Sequence, residues 1–416
     1  MTSTVTTGQC PIHQSGFDPL SGQYLADPYP YLSGVREEGP VFYSPAVDMW
    51  VITRYDDIRN VFKDPATFSA SVGQQPVFPI TEEARSILLD GFHASPVMSD
   101  CDPPKHTRIR AHNMKGFSAR RTAMLEPRVW AKATELVDAI EPGRVDLVSA
   151  LTYPLPAYMI FSFIGFPDED MDQIKRWSGN RMIFSWGRPS PTEQRQIATN
   201  MAAYFRYCEA FVAERAKSPV DDFTSDLVRI HQEDPEALSL DDIVNVAYGL
   251  SFAGHETTTN FTSNVIRQLL VHREQWAAVC ADRALIDAAV EETLRFDSSI
   301  IAWRRITTRP VTVGGVDLPA GAKVMLLLGA ADRDPRQFSR PEEFDIHRSD
   351  ARTHLAFGKG IHFCLGASLA RMEARIVLDL LTRRVPDLQL VADQELTFPA
   401  NISFRGPNRL LVDWPA

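Results

Sequence analysis

Cys364 lies in Phe357-Gly358-Lys359-Gly360-Ile361-His362-Phe363-Cys364-Leu365-Gly366, immediately ahead of a strong helical pattern over residues 367–381. A helix start offers unpaired N–H groups and the positive end of the macrodipole, and both lower a thiol's pKa. Gly358, Gly360 and Gly366 allow sharp turns and close approach of the backbone to a flat group. The chemistry this suits is a thiolate ligand to a haem iron, with Phe357 beside the sulfur and His362 reaching a haem propionate. Two blander readings compete. A single cysteine at a helix start is commonly a buried small hydrophobe. His362-x-Cys364 is also half of a zinc site, although no second Cys or His pair with ligand spacing lies nearby.

Three further groups carry chemistry. Asp102-Pro103-Pro104-Lys105-His106-Thr107-Arg108-Ile109-Arg110 opens a helix at its prolines. His106 and Arg110 are four apart and share a face, as a surface charge pair also would. Residues 240–271 read as one long helix, with Leu250, Ala253, Gly254, Thr257, Thr258 and Phe261 on one face. Gly254 in mid-helix costs about 1 kcal/mol relative to Ala. With threonines behind it, it predicts a local opening of the hydrogen-bond ladder. Glu256 and Thr257 put an acid beside an alcohol, a pair able to relay protons; the alternative is a polar interruption in a buried helix. His255 reads as a neighbour of that pair, not as a ligand. Glu292 and Arg295, three apart in a helical run from Ile286, face the same way, a spacing that surface salt bridges share.

The ordered set Phe357-x-x-Gly360-x-His362-x-Cys364-x-Gly366, Ala253-Gly254-His255-Glu256-Thr257-Thr258 and Glu292-Thr293-Leu294-Arg295 resembles the cytochrome P-450 family, the haem-thiolate monooxygenases. Asp332-Arg333-Asp334-Pro335 and Phe338-x-x-Pro341-Glu342-x-Phe344-Asp345 resemble its meander before the cysteine loop. Many members have Asp where this chain has Glu256. The resemblance implies a mainly α fold with small β-sheets, a triangular helical prism around buried haem b (iron protoporphyrin IX). It implies Cys364 as the metal ligand, with Phe357 and Gly366 beside it. His106, Arg110, His362 and Arg305 would hold propionates, with Arg304 as the competing choice to Arg305. Glu256 and Thr257 would deliver the two protons that dioxygen activation consumes. Glu292 and Arg295 would form a buried structural ion pair. Candidate pocket residues are Val77, Phe78, Phe92, Phe184, Ala253, Ile300, Ile301 and Ile402. Trp177 to Trp186 falls where the family has a mobile lid, though a core helix would show the same composition.

The elements that must position these groups follow from pattern. A helix is expected from Pro28 to Glu38, strands at Val41–Tyr43 and Met49–Ile52, and a helix from Arg54. Residues 70–97 read as irregular with a short helix at Glu82–Leu89. A strand is expected at Ser298–Trp303, a hairpin over Val311–Val324, and a last strand at Leu410–Trp414. No linker or repeat divides the chain, so one domain over 17–416 is expected behind a flexible N-terminus, 1–16. The 416 residues carry a net charge of -10 with a pI near 5.5, which disfavours nucleic acid as a partner. Five scattered cysteines, Cys10, Cys101, Cys208, Cys280 and Cys364, fit a reducing compartment, hence a cytoplasmic protein. No signal peptide or membrane span is legible.

Pro40-Val41-Phe42-Tyr43-Ser44-Pro45, Trp186-Gly187-Arg188-Pro189, Ala302-Trp303-Arg304-Arg305 and Ser403-Phe404-Arg405-Gly406-Pro407 are most similar to the haem domain of self-sufficient members fused to phthalate-type reductases. This chain ends at Ala416 with no flavin or iron–sulfur module. The resemblance therefore implies electrons from an NAD(P)H-dependent ferredoxin reductase through a ferredoxin, docked near Arg108, Lys115, Lys359 and Arg371. It implies hydroxylation or heteroatom dealkylation of a small organic substrate such as an aromatic xenobiotic. With no carboxylate anchor evident in the pocket segments, the expectation is a neutral one. A hydrogen-peroxide-driven peroxygenase and a non-catalytic haem sensor are the competing classes. The acid–alcohol pair speaks against the first, and the lack of an output domain against the second.

Overall fold

The long apolar pattern at 240–271 becomes a 32-residue helix, Leu240–Val271. Its start is fixed by a capping box. The Ser239 hydroxyl accepts the Asp242 N–H at 3.0 Å, and Asp242 accepts the Ser239 N–H at 3.2 Å. This central helix packs against Pro154–Ile164, Pro191–Lys217, Ile286–Phe296 and Ala367–Arg384. Most of its side chains are buried, and each large apolar one removed from water contributes about 1.5–3 kcal/mol. The computed structural model describes residues 17–179 and 181–415. The flexible tail expected over 1–16 lies outside the described residues.

The predicted opening at Gly254 is not present: the helix runs unbroken through it. Its glycine has a packing cause. A Cβ there would lie 2.6 Å from Cγ1 of Ile160, on helix Pro154–Ile164. The back-bond expected of a threonine does form, from Thr257 Oγ1 to the Ala253 carbonyl at 2.6 Å.

The β-structure is small and sits to one side. A five-stranded sheet orders Val41–Ser44, Met49–Ile52, Lys323–Leu326, Trp303–Thr307 and Phe68–Ser69. Its Met49–Ile52 and Lys323–Leu326 pair is parallel, with Trp50 opposite Val324. The strand predicted at Ser298–Trp303 begins instead at Trp303. Residues 299–301 pair locally with the turn at 403–405, through Arg405 N–H to Ser299 O at 2.9 Å and Ile301 N–H to Ser403 O at 2.8 Å. The hairpin is shorter than expected, Val311–Val313 with Val316–Leu318, turning on Gly314 and Gly315 at φ 55° and 80°. Lys323–Leu326 leaves it for the larger sheet. Gly143–Asp146, Leu411–Trp414 and Gln389–Leu390 make a third sheet. Among the described residues no helix is long and apolar enough to cross a membrane.

Candidate active site

The cysteine loop is pinned by Cys364 N–H to Phe357 O at 2.9 Å and Phe363 N–H to Gly360 O at 3.1 Å. Gly358 and Gly360 adopt φ 68° and 72°, and a Cβ on Gly360 would meet Phe62 O at 2.3 Å. Gly366 has no such crowding: a Cβ there would meet nothing within 4 Å. Cys364 is accessible by surface area, yet burial is the largest influence on its thiol. Both hold for a side chain on the wall of an interior cleft, with protein on every side and open space in front. Burial pushes the thiol up, against the N–H groups of Gly366 and Ala367 and the charges of Arg110 and Arg371. The polypeptide alone therefore does the opposite of what the helix start predicts, because desolvation outweighs the dipole.

Four cationic or basic side chains gather beside this loop. The His106 and His362 rings lie 4.3 Å apart, centroid to centroid. His362 Nδ1 lies 2.9 Å from the Met98 carbonyl, but its Nε2 and both ring nitrogens of His106 are buried without a partner. Burial, then the charge of Arg305, pushes His362 down to about 3. Arg305 is 2% exposed and donates to the Arg304 carbonyl at 2.7 Å; no carboxylate pairs with it among the described residues. Burial lowers it to about 10, with Asp102 opposing. Arg110 donates to Phe363 O at 2.6 Å. Arg304, the competing choice, points the other way: its guanidinium bonds the carbonyls of Gly73 at 3.1 Å and Gln75 at 2.7 Å and stacks 3.9 Å over Trp186. The zinc reading finds no partner set, since among the described residues no three His, Cys, Asp or Glu side chains gather to hold a metal.

Midway along the otherwise buried central helix, Ala253 is exposed and Glu256 and Thr257 are half-buried, which opens one wall to the interior. His255 turns away, fully buried against the rings of Tyr153 at 4.3 Å and Phe161 at 5.8 Å. Ile301 and Ile402 are buried in one apolar cluster with Phe252, Trp186 and Phe404, against which Ile300, Val77 and Phe78 pack. Val77 is tied in by its N–H to Ser185 O at 3.0 Å. Two other candidate pocket residues pack elsewhere. Phe184 belongs to a separate core with Ala84, Ile197, Ala198 and Met201. Phe92 packs edge-on to Phe205 at 5.2 Å and against Tyr248 at 5.3 Å, between two helices. Arg181 was missed: it begins the short helix Arg181–Trp186 with its guanidinium over Phe252.

The family model "Cytochrome P450" matches residues 277–385. The chain is 37% identical to the cytochrome P450 monooxygenase PikC of Streptomyces venezuelae, over 98% of this chain and 96% of that one. The chain belongs to the cytochrome P450 family. Its fold matches an intact type IV self-sufficient P450 monooxygenase at TM-score 0.93 and 38% identity, over 96% of this chain. It spans about half, 53%, of that enzyme's length. It matches cytochrome P450 CREJ, solved in complex with (4-ethylphenyl) dihydrogen phosphate, at TM-score 0.93 and 42% identity, over 96% of this chain and 99% of that one.

This P450 is thus a monooxygenase, and its cofactor is haem b. The residues present fit that group. The unpartnered nitrogens of His106 and His362 and the carboxylate-free Arg305 fit a pair of acid groups, whose charge would favour protonated, donating imidazoles, and the open face of Gly366 leaves room for a flat ring. A coordinated metal deprotonates a thiol that burial otherwise keeps neutral. Behind the loop, Arg371 donates to Glu291 at 2.6 Å and lies 4.5 Å over Phe357. Burial acts to raise Glu291, but hydrogen bonds from His354 and Arg371 outweigh it and hold the carboxyl at about 2.

The P450 ion pair is fully buried. Arg295 Nε and a terminal nitrogen each bond Glu292 at 2.8 Å. The remaining donors reach the carbonyls of Asp332 and Pro341 at 2.9 Å and Glu343 at 3.0 Å. Arg348 adds a bond to Glu292 at 3.1 Å. The spacing that is uninformative on a surface here ties the helix Ile286–Phe296 to the meander.

Proposed function

We propose that this enzyme hydroxylates or dealkylates a small aromatic substrate held between the central helix and the turn at 401–404. The observation that carries this is exposure at two places, Cys364 and the wall at Ala253 and Thr257, in elements that are otherwise buried. The apolar cluster beside that wall is aromatic, with Phe404 in ring contact with Phe252, Trp186 and Trp303, which suits a flat ligand. A similar P450 was solved with an ethylphenyl compound bound.

Haem b, when bound, supplies the activation of dioxygen and the insertion of one oxygen atom into the substrate. Cys364 would hold the haem iron through its thiolate, whose electron donation would support that oxygen chemistry. His106, Arg110, His362 and Arg305 would hold the propionates. Thr257 directs its proton to the Ala253 carbonyl, so its lone pairs face outward as acceptors for a proton-carrying water. Glu256, next along the helix, passes protons inward from solvent. Electrons arrive from an NAD(P)H-dependent reductase through an acidic ferredoxin. The docking set is narrower than the sequence suggested. Arg108 is engaged with Asp242 at 2.8 Å and Arg371 with Glu291, which leaves Lys115 and Lys359, beside the exposed Phe363.

The test is a spectral titration of the purified ferric protein with small aromatic ethers, thiocarbamates and fatty acids. We expect a thiolate-haem spectrum with a spin-state shift from the aromatic ligands. A normal spectrum that no aromatic ligand shifts removes the substrate reading. A thiolate-haem spectrum that survives Cys364→Ala removes the ligand assignment.

A further inference from the structure

Arg181, at the edge of the pocket, is a cation with no ion-pair partner among the described residues. Its guanidinium lies 4.7 Å from the Tyr248 ring centroid and 5.1 Å from that of Phe252, on adjacent turns of the central helix. Phe252 precedes the exposed Ala253 and belongs to the cluster that holds Ile301 and Ile402. The Nε of Arg181 is buried without a hydrogen-bond partner, and no carboxylate pairs with it among the described residues. Asp100, from the loop before Lys105–Gly116, feels its charge without pairing; its Oδ1 accepts the Val97 N–H at 3.1 Å. The two rings attract the guanidinium, and Tyr248 offers it a hydrogen bond, but neither supplies a counter-charge and its Nε–H stays unsatisfied. A half-buried cation so placed, with an unsatisfied donor, would gain from an anion that completes it. The fork of N–H groups matches the two or three oxygens of a carboxylate or a phosphate monoester.

We propose that the substrate carries such an anionic group, seated on Arg181 while its aromatic ring occupies the Phe252 side of the pocket. This rests on the small-aromatic reading above and replaces the neutral substrate that the sequence suggested. Arg188, which stacks 4.3 Å over Phe78 from an exposed position, is the charge an anion would meet on entry.

Three ligands of one size test it by spin-state titration: 4-methylbenzoate, 4-methylphenyl phosphate and the neutral 4-methylanisole. In the wild type, one of the anions should bind about tenfold or more tightly than the anisole, which is what a charged hydrogen bond contributes. Arg181→Gln should abolish that preference and leave anisole binding unchanged, which also shows that the pocket is intact. Arg181→Lys should restore part of it. The better anion identifies the group as carboxylate or phosphate. If anisole shifts the spectrum and neither anion does, the inference fails while the aromatic reading stands. If Arg181→Gln weakens all three equally, or none, Arg181 only packs the short helix onto the central one. If none of the three shifts a normal thiolate-haem spectrum, the aromatic reading fails and takes this inference with it.

Discussion

Glu373 lies on the cysteine helix Ala367–Arg384, 2% exposed in an apolar core that includes Leu369, Met372, Ile376 and Val377. Its Oε2 has no partner among the described residues, and burial raises its carboxyl from 4.5 to about 8. The linkage has a definite sign. Below pH 4.5 the folded and unfolded chains both hold the proton, and the residue has no effect on stability. Between 4.5 and about 8 the folded chain holds one proton more than the unfolded one, so stability falls by about 1.4 kcal/mol per pH unit. At pH 7 that cost is about 3 kcal/mol. Glu373→Gln removes the titration. Its amide also leaves N–H groups unsatisfied, but that penalty of about 1–3 kcal/mol does not vary with pH. Slope, not absolute stability, is therefore the signature. For 416 residues the unfolding entropy near the midpoint is about 0.9 kcal/mol per degree, so one pH unit corresponds to about 1.5 °C in Tm. Thermal unfolding of the two haem-loaded proteins from pH 5 to pH 8 should show the wild type losing about 4–5 °C relative to Glu373→Gln. Parallel curves across that range would refute the reasoning, because every other titrating group is common to both proteins.

Removing the guanidinium of Arg295 should be far more damaging. Arg295→Ala leaves Glu292 buried with Arg348 and the Asp345 N–H as its donors and takes a donor from the carbonyls of Asp332, Pro341 and Glu343, a loss of about 3–5 kcal/mol. Purified Arg295→Ala should show reduced haem content and a lower Tm, and an unchanged haem-to-protein ratio would deny the pair its bracing role. Reversing Lys115 and Lys359 together to Glu should slow reduction by an acidic ferredoxin and flatten its salt dependence. If the rates and their response to salt stay as in the wild type, the partner docks elsewhere.

What could be read from the sequence, and what could not, divides by how far away the physical cause lies. The cysteine loop was legible because its causes are local: Gly358 and Gly360 do adopt the left-handed conformation. The central helix was legible too, since its apolar face and its Ser239–Asp242 cap lie within the segment itself. Gly254 shows the boundary. Its cost in mid-helix is visible in the sequence, but its cause, Ile160, is on another helix, so the predicted ladder opening was the wrong explanation.

Arg304 and Arg305 make the same point through strand geometry. Adjacent strand residues point to opposite faces, so only one of the two could join His106 and His362, but nothing local says which. The pairing of Arg304 Cα with Met325 and Arg305 Cα with Val324 turns Arg305 to the histidines and Arg304 to the carbonyls of Gly73 and Gln75. The helix Arg181–Trp186 hides three fates in six residues: Phe184 enters one core, Trp186 another, and Arg181 neither. For Cys364 the local rule was sound and still lost, because burial by distant segments exceeds what a helix start supplies. The candidate pocket residues are the hardest to read for the same reason. Their neighbours come from the loop at 73–78, the short helix, the central helix and the turn at 401–404, and the charge of Arg181 acquires a meaning only when those four segments meet.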